Sequence, residues 1–517
     1  MSKRWQTAIV AGLSLSCWLG FVSCRDGNNG SKPAQHANAD AANIEELRPA
    51  VTAFCGNCHA APPPESFPRD AWFAETEQGY RFYSDSGRTD LKPPPMQDVV
   101  TFFRSQAPKV LTIPSYATSL TAANRFRKQS LPKERSAPAI SFLDLAPRRG
   151  TGGIWLCDMH SGAISNVMCN STSSAAGEIA NVANPAHIVE CDLDQDGRGD
   201  LIVADLGSFL PGDHQDGRVV WLPGAGEPNS PRPEVRVLLD QVGRVADVRP
   251  ADFDGDGDID LIVAEFGWRK TGRILLLLQT HRGPNGPEFS RTVIDRRHGA
   301  IHVPIADLNQ DGKPDFVALI SQEHEVIEAY LNLGGGHFEK QGIFMAPDPA
   351  FGLSGIEVVD LDLDGDLDVV ATNGDTLDSH YLKPSHGITW LENQGKFPFA
   401  PRRLSYLPGA MRAVCADVDH DGDLDIIAAA FLPASLRTQQ PKSLTETLIW
   451  LEQTETSGEF QRHTLETGDA GHMTVLAADL DADGDIDLAV PNYGEQRTIN
   501  LEPLTIWWNE KSRAPAE

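Results

Sequence analysis

The sequence predicts a mainly β chain: a seven-bladed β-propeller with calcium-type Asp loops, preceded by a small all-α unit. Three observations carry this expectation: six copies of an Asp-rich nine-residue loop starting 53–62 residues apart, short β-like segments repeating within each interval, and a C-x-x-C-H motif followed by a helical pattern near the N-terminus. Composition agrees. Of 517 residues, 45 are Gly and 36 are Pro, while aromatic residues make up 7%, which suits many short strands joined by turns. The formal net charge is −28, and such a chain repels phosphate backbones, so nucleic acid is excluded as a partner.

The N-terminus comes first. Lys3 and Arg4 precede a mostly apolar run from Ala8 to Val22, too short and too interrupted for a membrane span. The run ends in Phe21-Val22-Ser23-Cys24, which resembles a bacterial lipoprotein box. The resemblance implies a signal peptide over 1–23, lipidation of Cys24, and an exported protein anchored on the periplasmic side of a membrane or at the cell surface. A plain secretory signal cleaved nearby is the alternative. No later stretch is long and apolar enough to cross a bilayer, so the expected membrane contact is the lipid anchor alone. Residues 24–42, rich in Gly, Asn, Ser and Ala, read as a flexible tether.

Cys55-Gly56-Asn57-Cys58-His59 is the attachment signature of c-type haem. Two thiols at this spacing add to the two haem vinyl groups, and the adjacent His supplies the proximal iron ligand. A zinc half-site needs a second ligand pair nearby, and no other Cys or His follows until Cys157. The one Met between His59 and Cys157 is Met96, at the end of a Pro-rich segment. It is the expected sixth ligand, the alternative being an open sixth site. A helix is expected over Gln97–Arg104, apolar at helical spacing. Residues 43–108 thus resemble a small single-haem cytochrome c domain, with 109–124 as a linker. The resemblance implies one covalent haem c.

The six loops follow. Their oxygen ligands are Asp192, Asp194, Asp196 and Asp200; Asp252, Asp254, Asp256 and Asp260; Asp307, Asn309, Asp311 and Asp315; Asp360, Asp362, Asp364 and Asp368; Asp417, Asp419, Asp421 and Asp425; and Asp479, Asp481, Asp483 and Asp487. Oxygens at positions 1, 3, 5 and 9 with Gly at position 6 make a hard-cation loop, and Ca²⁺ suits it better than Mg²⁺. These windows hold 27 of the 72 acidic residues, so up to six bound Ca²⁺ ions would relieve a dense local repulsion. Recurrence in successive units suits fold maintenance better than catalysis.

Strands flank the loops where an EF-hand would have helices. Each loop is followed by an apolar run such as Leu201–Ala204 or Leu261–Ala264, then by a third segment such as Arg218–Leu222 and a fourth such as Phe289–Ile294. These repeats look like the FG-GAP/VCBS family, whose blades form integrin-α-like β-propellers. Residues 138–169 carry the same rhythm without the Asp loop, which makes a seventh blade. The last unit stops after its third strand, and Phe126–Leu131 resembles the missing fourth, so residues 125–131 are expected to close a ring that spans 125–511, leaving 512–517 as a tail.

Five residues before the loops stand His187, Asp247, His302, Gly355, Arg412 and Thr474, positions that would line one mouth of the propeller channel. His187, His302 and Arg412 are the candidate catalytic or ligand-binding residues there; a wet mouth without function is the alternative. Cys157 and Cys169 are expected either to pair or to stay free like Cys191 and Cys415. Function follows from the combination: an exported c-type cytochrome that passes electrons to a redox partner protein or the quinone pool, with the propeller as docking or ligand-binding scaffold. Alternatives are a periplasmic oxidoreductase whose catalytic domain is the propeller and whose electron acceptor is the haem, and a propeller that binds carbohydrate or protein.

Overall fold

The computed structural model describes residues 36–510 apart from 115–120, 133–136, 148–152, 171–172, 228–231, 284–285, 378–379, 438–444, 455, 457, 469–470 and 495–500. The expected signal peptide, Cys24 and the first part of the tether lie outside the described residues. Among the described residues no helix is long and apolar enough to cross a membrane.

Three helices form the N-terminal unit: α1 (His36–Cys55), α2 (Trp72–Asp85) and α3 (Met96–Gln106). One boundary needs correction. Residues 36–42 belong to α1 and not to the tether, because Ala37, Ala39, Ala41 and Ala42 are the strongest helix formers. The α3 residues Val99, Phe102 and Phe103 recur at helical spacing and are buried with Val51, Phe67 and Trp72. Trp72 and Phe103 stack at 4.0 Å with an interplanar angle of 5°. Pro108 follows the end of α3, where the residue before it is already extended.

The rest of the described chain is built around seven sheets. The first holds β2 (Ile140–Leu145), β3 (Gly153–Asp158), β4 (Ala163–Asn170) and β5 (Ser173–Asn181); the second β6 (Pro185–Cys191), β7 (Asp200–Asp205), β8 (Gly217–Leu222) and β9 (Arg236–Val242); the third β10 (Val245–Ala251), β11 (Asp260–Glu265), β12 (Arg273–Gly283) and β13 (Gly286–Asp295). The fourth holds β14 (Ala300–His302), β15 (Ile305–Ala306), β16 (Asp315–Ile320), β17 (Val326–Gly334) and β18 (His337–Met345). Its innermost strand is split at Pro304, which has no N–H to give the ladder. The fifth holds β19 (Leu353–Val359), β20 (Asp368–Asn373), β21 (Gly387–Glu392) and β22 (Ala400–Tyr406); the sixth β23 (Ala410–Ala416), β24 (Asp425–Ala430), β25 (Glu446–Gln453) and β26 (Phe460–Thr467). The seventh is β27 (Leu476–Ala478), β28 (Asp487–Pro491), β29 (Leu504–Asn509) and, as its outer strand, β1 (Phe126–Ser130).

β1 runs antiparallel to β29 from Phe126 opposite Asn509 to Ser130 opposite Thr505. The Lys128 ammonium sits 3.5 Å from the Trp507 ring, and Trp508 Nε1 donates to Gln129 Oε1 at 2.8 Å. An outer strand so held hides the edge that β29 would otherwise present.

The second strands β7, β11, β16, β20 and β24 are buried at every position, as continuous apolar runs packed on both faces must be. The core is correspondingly divided among the blades, with one large apolar cluster between each two neighbours. One of them joins Leu480, Ala489 and Ile506 of the last blade to Ile140, Ile154 and Val167 of the first, so the ring is closed.

Cys157 and Cys169 lie in different inter-blade cores, on opposite faces of the first sheet. Their side chains point apart, so the disulfide is ruled out, and Cys157, Cys169, Cys191 and Cys415 are all free thiols.

Candidate functional site

Chemistry-bearing residues gather in three places. The first is the exit of α1, where Cys55 ends the helix half-buried and Cys58 is exposed in the turn beyond it. His59 Nδ1 lies 2.7 Å from the Ala60 carbonyl oxygen and donates to it in the tautomer that leaves Nε2 free as an acceptor, the form in which an imidazole ligates a metal. Phe54 packs on Tyr80 and Tyr83 of α2 at 5.0 and 5.3 Å. The two tyrosines in turn hold the Pro-rich segment: Tyr80 Oη donates to the Pro94 carbonyl, and the Leu91 N–H donates to Tyr83 Oη at 3.1 Å. Arg88 reaches back to Cys58 Sγ at 2.9 Å and to Asn57 Oδ1 at 2.6 Å. The motif and the segment that leads into Met96, the first residue of α3, are therefore braced by the same side chains. Burial raises the Cys55 thiol to about 11. Two free thiols, an imidazole with Nε2 unengaged and a half-buried Met are a donor set that fits a covalently attached haem.

The second place is the set of Asp loops, one between the first and second strands of each blade but the first. Their backbone is the same six times. The fourth position is left-handed throughout, at Gln195, Gly255, Gln310, Leu363, His420 and Ala482, and so is the Gly at position six, with φ of +82° to +99°. That Gly donates its N–H to the first Asp at 2.8–3.2 Å, and the seventh residue donates to the fifth at 2.8–3.0 Å. Carboxylate oxygens of Asp192, Asp194 and Asp200, of Asp252, Asp254 and Asp260, of Asp360, Asp362 and Asp364, and of Asp417, Asp419 and Asp421 come within 4.8 Å of one another, a spacing that can hold a cation. In two loops the fifth Asp already has a cationic partner: Arg198 on Asp196 at 2.5 Å and Lys313 on Asp311 at 2.7 Å.

The ninth Asp has a second task that its spacing does not announce. In every repeat it is buried, and its Oδ2 accepts the N–H of the second loop residue at 2.9–3.3 Å. Its Oδ1 accepts an N–H from the third-strand side of the blade, from Gly224, Gln279, Asn332, Asn393, Gln453 and Asn509, at 2.6–2.8 Å. Asp200, Asp260, Asp315, Asp368, Asp425 and Asp487 are thus struts from loop to sheet. Burial raises their carboxyl groups, to about 6 for Asp260 and Asp368 and about 7 for Asp425 and Asp487. Adjacent loops also touch: Gln195 Nε2 donates to the Gly257 carbonyl at 2.7 Å, Gln310 Nε2 to that of Gly365 at 2.9 Å, and His420 Nε2 lies 3.1 Å from Asp485 Oδ1.

The third place is the propeller axis. A β-bulge precedes His187, Asp247, His302, Gly355 and Arg412 on the innermost strands, and it re-aims the side chains of the four that carry one. These positions gather around the buried pair His187 and Asp247. His187 is 2% exposed, and its Nδ1 lies 3.1 Å from Asp247 Oδ1. Arg249 Nε donates to the same oxygen at 2.9 Å, the Val303 N–H donates to Asp247 Oδ2, and His302 Nδ1 stands 4.0 Å away. Arg412 is spent on Glu357 at 2.7 Å. At Gly355 a Cβ would meet the Met411 carbonyl oxygen at 2.6 Å, so only Gly allows the neighbouring strand this close. Burial pushes the Asp247 carboxyl up, but the Arg249 guanidinium, with the Val303 N–H, outweighs it and holds the group below the ordinary carboxylate range. Burial, aided by nearby arginines, lowers both imidazoles, His302 to about 4. Two imidazoles and two ion pairs thus gather at the axis, with His187 and Asp247 buried and His302, Arg249, Arg412 and Glu357 partly exposed. Arg249 and Glu357 were not legible as axis residues, because they stand two positions beyond the bulge.

The helical unit rests on the propeller face opposite the Asp loops. The loops leave the first strands on one face; the turns from second to third strand, and from each blade to the next, share the other. On that face Tyr381 meets Phe67 edge-on at 5.9 Å, Lys383 Nζ sits 4.5 Å from the Phe67 ring, and the Arg269 guanidinium stacks 3.5 Å over Phe82. Lys383 is 2% exposed and donates to the Ala350 carbonyl, with Asp348 at 3.8 Å.

A model of the FG-GAP-like repeat matches residues 192–263 and 307–371. These segments contain the loops that start at Asp192, Asp252, Asp307 and Asp360. The chain thus carries FG-GAP-like repeats, and they build blades of a seven-bladed β-propeller. No curated protein matches the chain. Among solved structures it is similar to BBS1N in complex with ARL6DN, soaked with lead (TM-score 0.41, 12% identity, covering 77% of this chain and 99% of that one). It is also similar to a putative 6-phosphogluconolactonase from Bacteroides uniformis (TM-score 0.41, 14% identity, covering 64% and 85%).

Proposed function

We propose that the protein is an exported, lipid-anchored c-type cytochrome whose FG-GAP β-propeller, loaded with Ca²⁺, is a docking scaffold for its electron-transfer partner. The observation that carries the reading is the C-x-x-C-H motif at the exit of α1, with His59 Nδ1 bonded to a backbone carbonyl and Nε2 left for iron. Haem c supplies a one-electron couple, and a Met ligand raises its potential. In this chain Cys55 and Cys58 would hold it, His59 and Met96 would ligate it, and Tyr80 and Tyr83 keep the Pro-rich segment in place. The partner is a redox protein or the quinone pool on the same side of the membrane. The burial of His187 and the pairing of Asp247 with Arg249 and of Arg412 with Glu357 favour a scaffold over a catalytic propeller.

The test is anaerobic reduction of the haem. The mature chain, made with haem-attachment machinery and Ca²⁺, is oxidised and offered sugars, alcohols, quinols and reduced carrier cytochromes. Reduction by quinols or carrier cytochromes alone fits an electron carrier. Turnover of a sugar or alcohol would make the protein an oxidoreductase instead, and failure to take up haem would end the reading.

A further inference from the structure

Three side chains outside every site described above converge on the face that carries the helical unit. His298 sits in the turn between β13 and β14, and Glu323 and His324 sit in the turn between β16 and β17. One ligand atom of each comes within 4.8 Å of the other two. His298 Nε2 is 2.9 Å from Glu323 Oε1, and the two imidazole rings lie 5.1 Å apart at 57°. The independent sign of a missing partner is His324 Nε2, a buried atom without a hydrogen-bond partner. A buried ring nitrogen left unpaired loses its hydration without compensation, so its position asks for an occupant.

The platform is stiff. Ser321 N–H donates to the Gly299 carbonyl at 2.8 Å, and Gly299 N–H to that of Phe266 at 2.8 Å, which ties the two turns together. Gln322 and Glu325, on either side of the Glu323-His324 pair, both hold left-handed backbone, with φ of +56° and +47°. A Cβ at Gly272 would fall 2.5 Å from His298 Cβ, so the 266–272 turn backs this histidine directly. Arg297, the cation next in sequence, is turned to Asp295 at 2.7 Å and to Glu328.

From this geometry we infer that His298, Glu323 and His324 form a mononuclear site for a divalent transition metal, with coordination positions left open. Two imidazoles and one carboxylate select Zn²⁺, Cu²⁺, Ni²⁺ or Fe²⁺, whereas the all-oxygen Asp loops suit Ca²⁺, so the two kinds of site sort their metals by donor type. Three protein ligands leave room for water or a small exogenous ligand. The site stands in blade 4, between the blade 3 and blade 5 turns that hold the helical unit through Arg269 and Tyr381. It does not depend on the haem reading.

The test is a Co²⁺ titration of the untagged full chain, stripped with chelator and refilled with excess Ca²⁺ to occupy the Asp loops. Cys55→Ala, Cys58→Ala and His59→Ala in the background keep the haem motif silent. The expected result is one equivalent of Co²⁺ with visible d–d bands, displaced by Zn²⁺ and not by Ca²⁺. His298→Ala and His324→Ala should each weaken binding by more than the roughly 10–100-fold lost when a group that merely hydrogen-bonds a ligand is removed. Glu323→Gln should also weaken it. His324→Gln removes the ligand while its amide fills the buried position, and covers the case in which an Ala variant perturbs the fold. No Co²⁺ bands in the parent chain, or bands of equal affinity in the His298 and His324 variants, would overturn the assignment.

Discussion

Asp425 offers the sharpest test of how an Asp loop is tied to its sheet. Its side chain is 1% exposed and accepts two buried backbone N–H groups, from Val418 at 3.1 Å and Gln453 at 2.8 Å. Asp425→Ala strands both donors. Each unsatisfied buried donor costs about 1–3 kcal/mol, so the substitution should cost about 2–6 kcal/mol even without metal. Asp425→Asn keeps one acceptor and turns an amide N–H towards the other donor, and should fall between. The contrast is Asp419→Asn, at the third loop position, whose carboxylate accepts the Asp421 N–H and is raised by burial and by repulsion from Asp421. In chelator it should be neutral or slightly stabilising; with Ca²⁺ it should lower stability by weakening the ion. The assay is urea unfolding followed by Trp fluorescence, in EDTA and in Ca²⁺, at pH 8, above the raised Asp425 value of about 7. An Asp425→Ala loss below about 1 kcal/mol in EDTA would refute the strut argument.

Other consequences are as direct. The buried Asp260, Asp368, Asp425 and Asp487 have folded-state values of about 6 to 7, above the unfolded carboxylate value. The folded apo chain therefore binds more protons than the unfolded one, and the contribution of these groups to stability falls as pH rises from about 4 to 7. Buried neutral histidines such as His302 act the other way below their unfolded value, but equally with and without metal. Hence the difference in Tm between Ca²⁺ and EDTA should grow from pH 5.5 to 7 and then level off; a difference that shrinks with pH contradicts the loop account. Deleting residues 121–131 should expose the β29 edge and give dimers or aggregates by gel filtration, whereas a monomer of unchanged Tm would show that β1 is dispensable. In haem-loaded protein, Met96→Ala should lower the reduction potential and shift the spectrum to an open or water-ligated form; an unchanged spectrum assigns the sixth position to another group.

Much of the propeller was legible because its blades repeat. The Asp-x-Asp-x-Asp-Gly pattern marks where each first strand ends, and the apolar run after it is the buried second strand, as in β11 and β24. Likeness to Phe460–Leu465 was enough to identify Phe126–Leu131 as a fourth strand, although its partner β29 lies at the far end of the chain. What escaped was local pattern too weak to read or geometry that only tertiary structure makes. β5, Ser173–Asn181, has almost no apolar alternation and is a strand because β4 templates it. The length of α1 was missed because small polar and Ala residues serve both tethers and helices. At the axis, spacing relative to the loops placed His187, Asp247 and His302 together, but the pairing of Asp247 with Arg249 depends on a bulge that no residue type signals. The ninth Asp reads as a ligand; its strut role appears only once the third strand is laid beside the loop. His298 and Glu323-His324 belong to different turns with a whole blade edge between them in sequence, and neither carries a motif.

The central claim is that the helical unit carries covalent haem, and one measurement decides it. The full chain, co-expressed with haem-attachment machinery, is denatured and its intact mass taken, beside Cys55→Ala/Cys58→Ala. The account predicts that the parent retains one haem through denaturation, with the pyridine haemochrome spectrum of haem c, and that the double variant retains none. A parent chain that leaves the machinery at its polypeptide mass, thiols free, would contradict it.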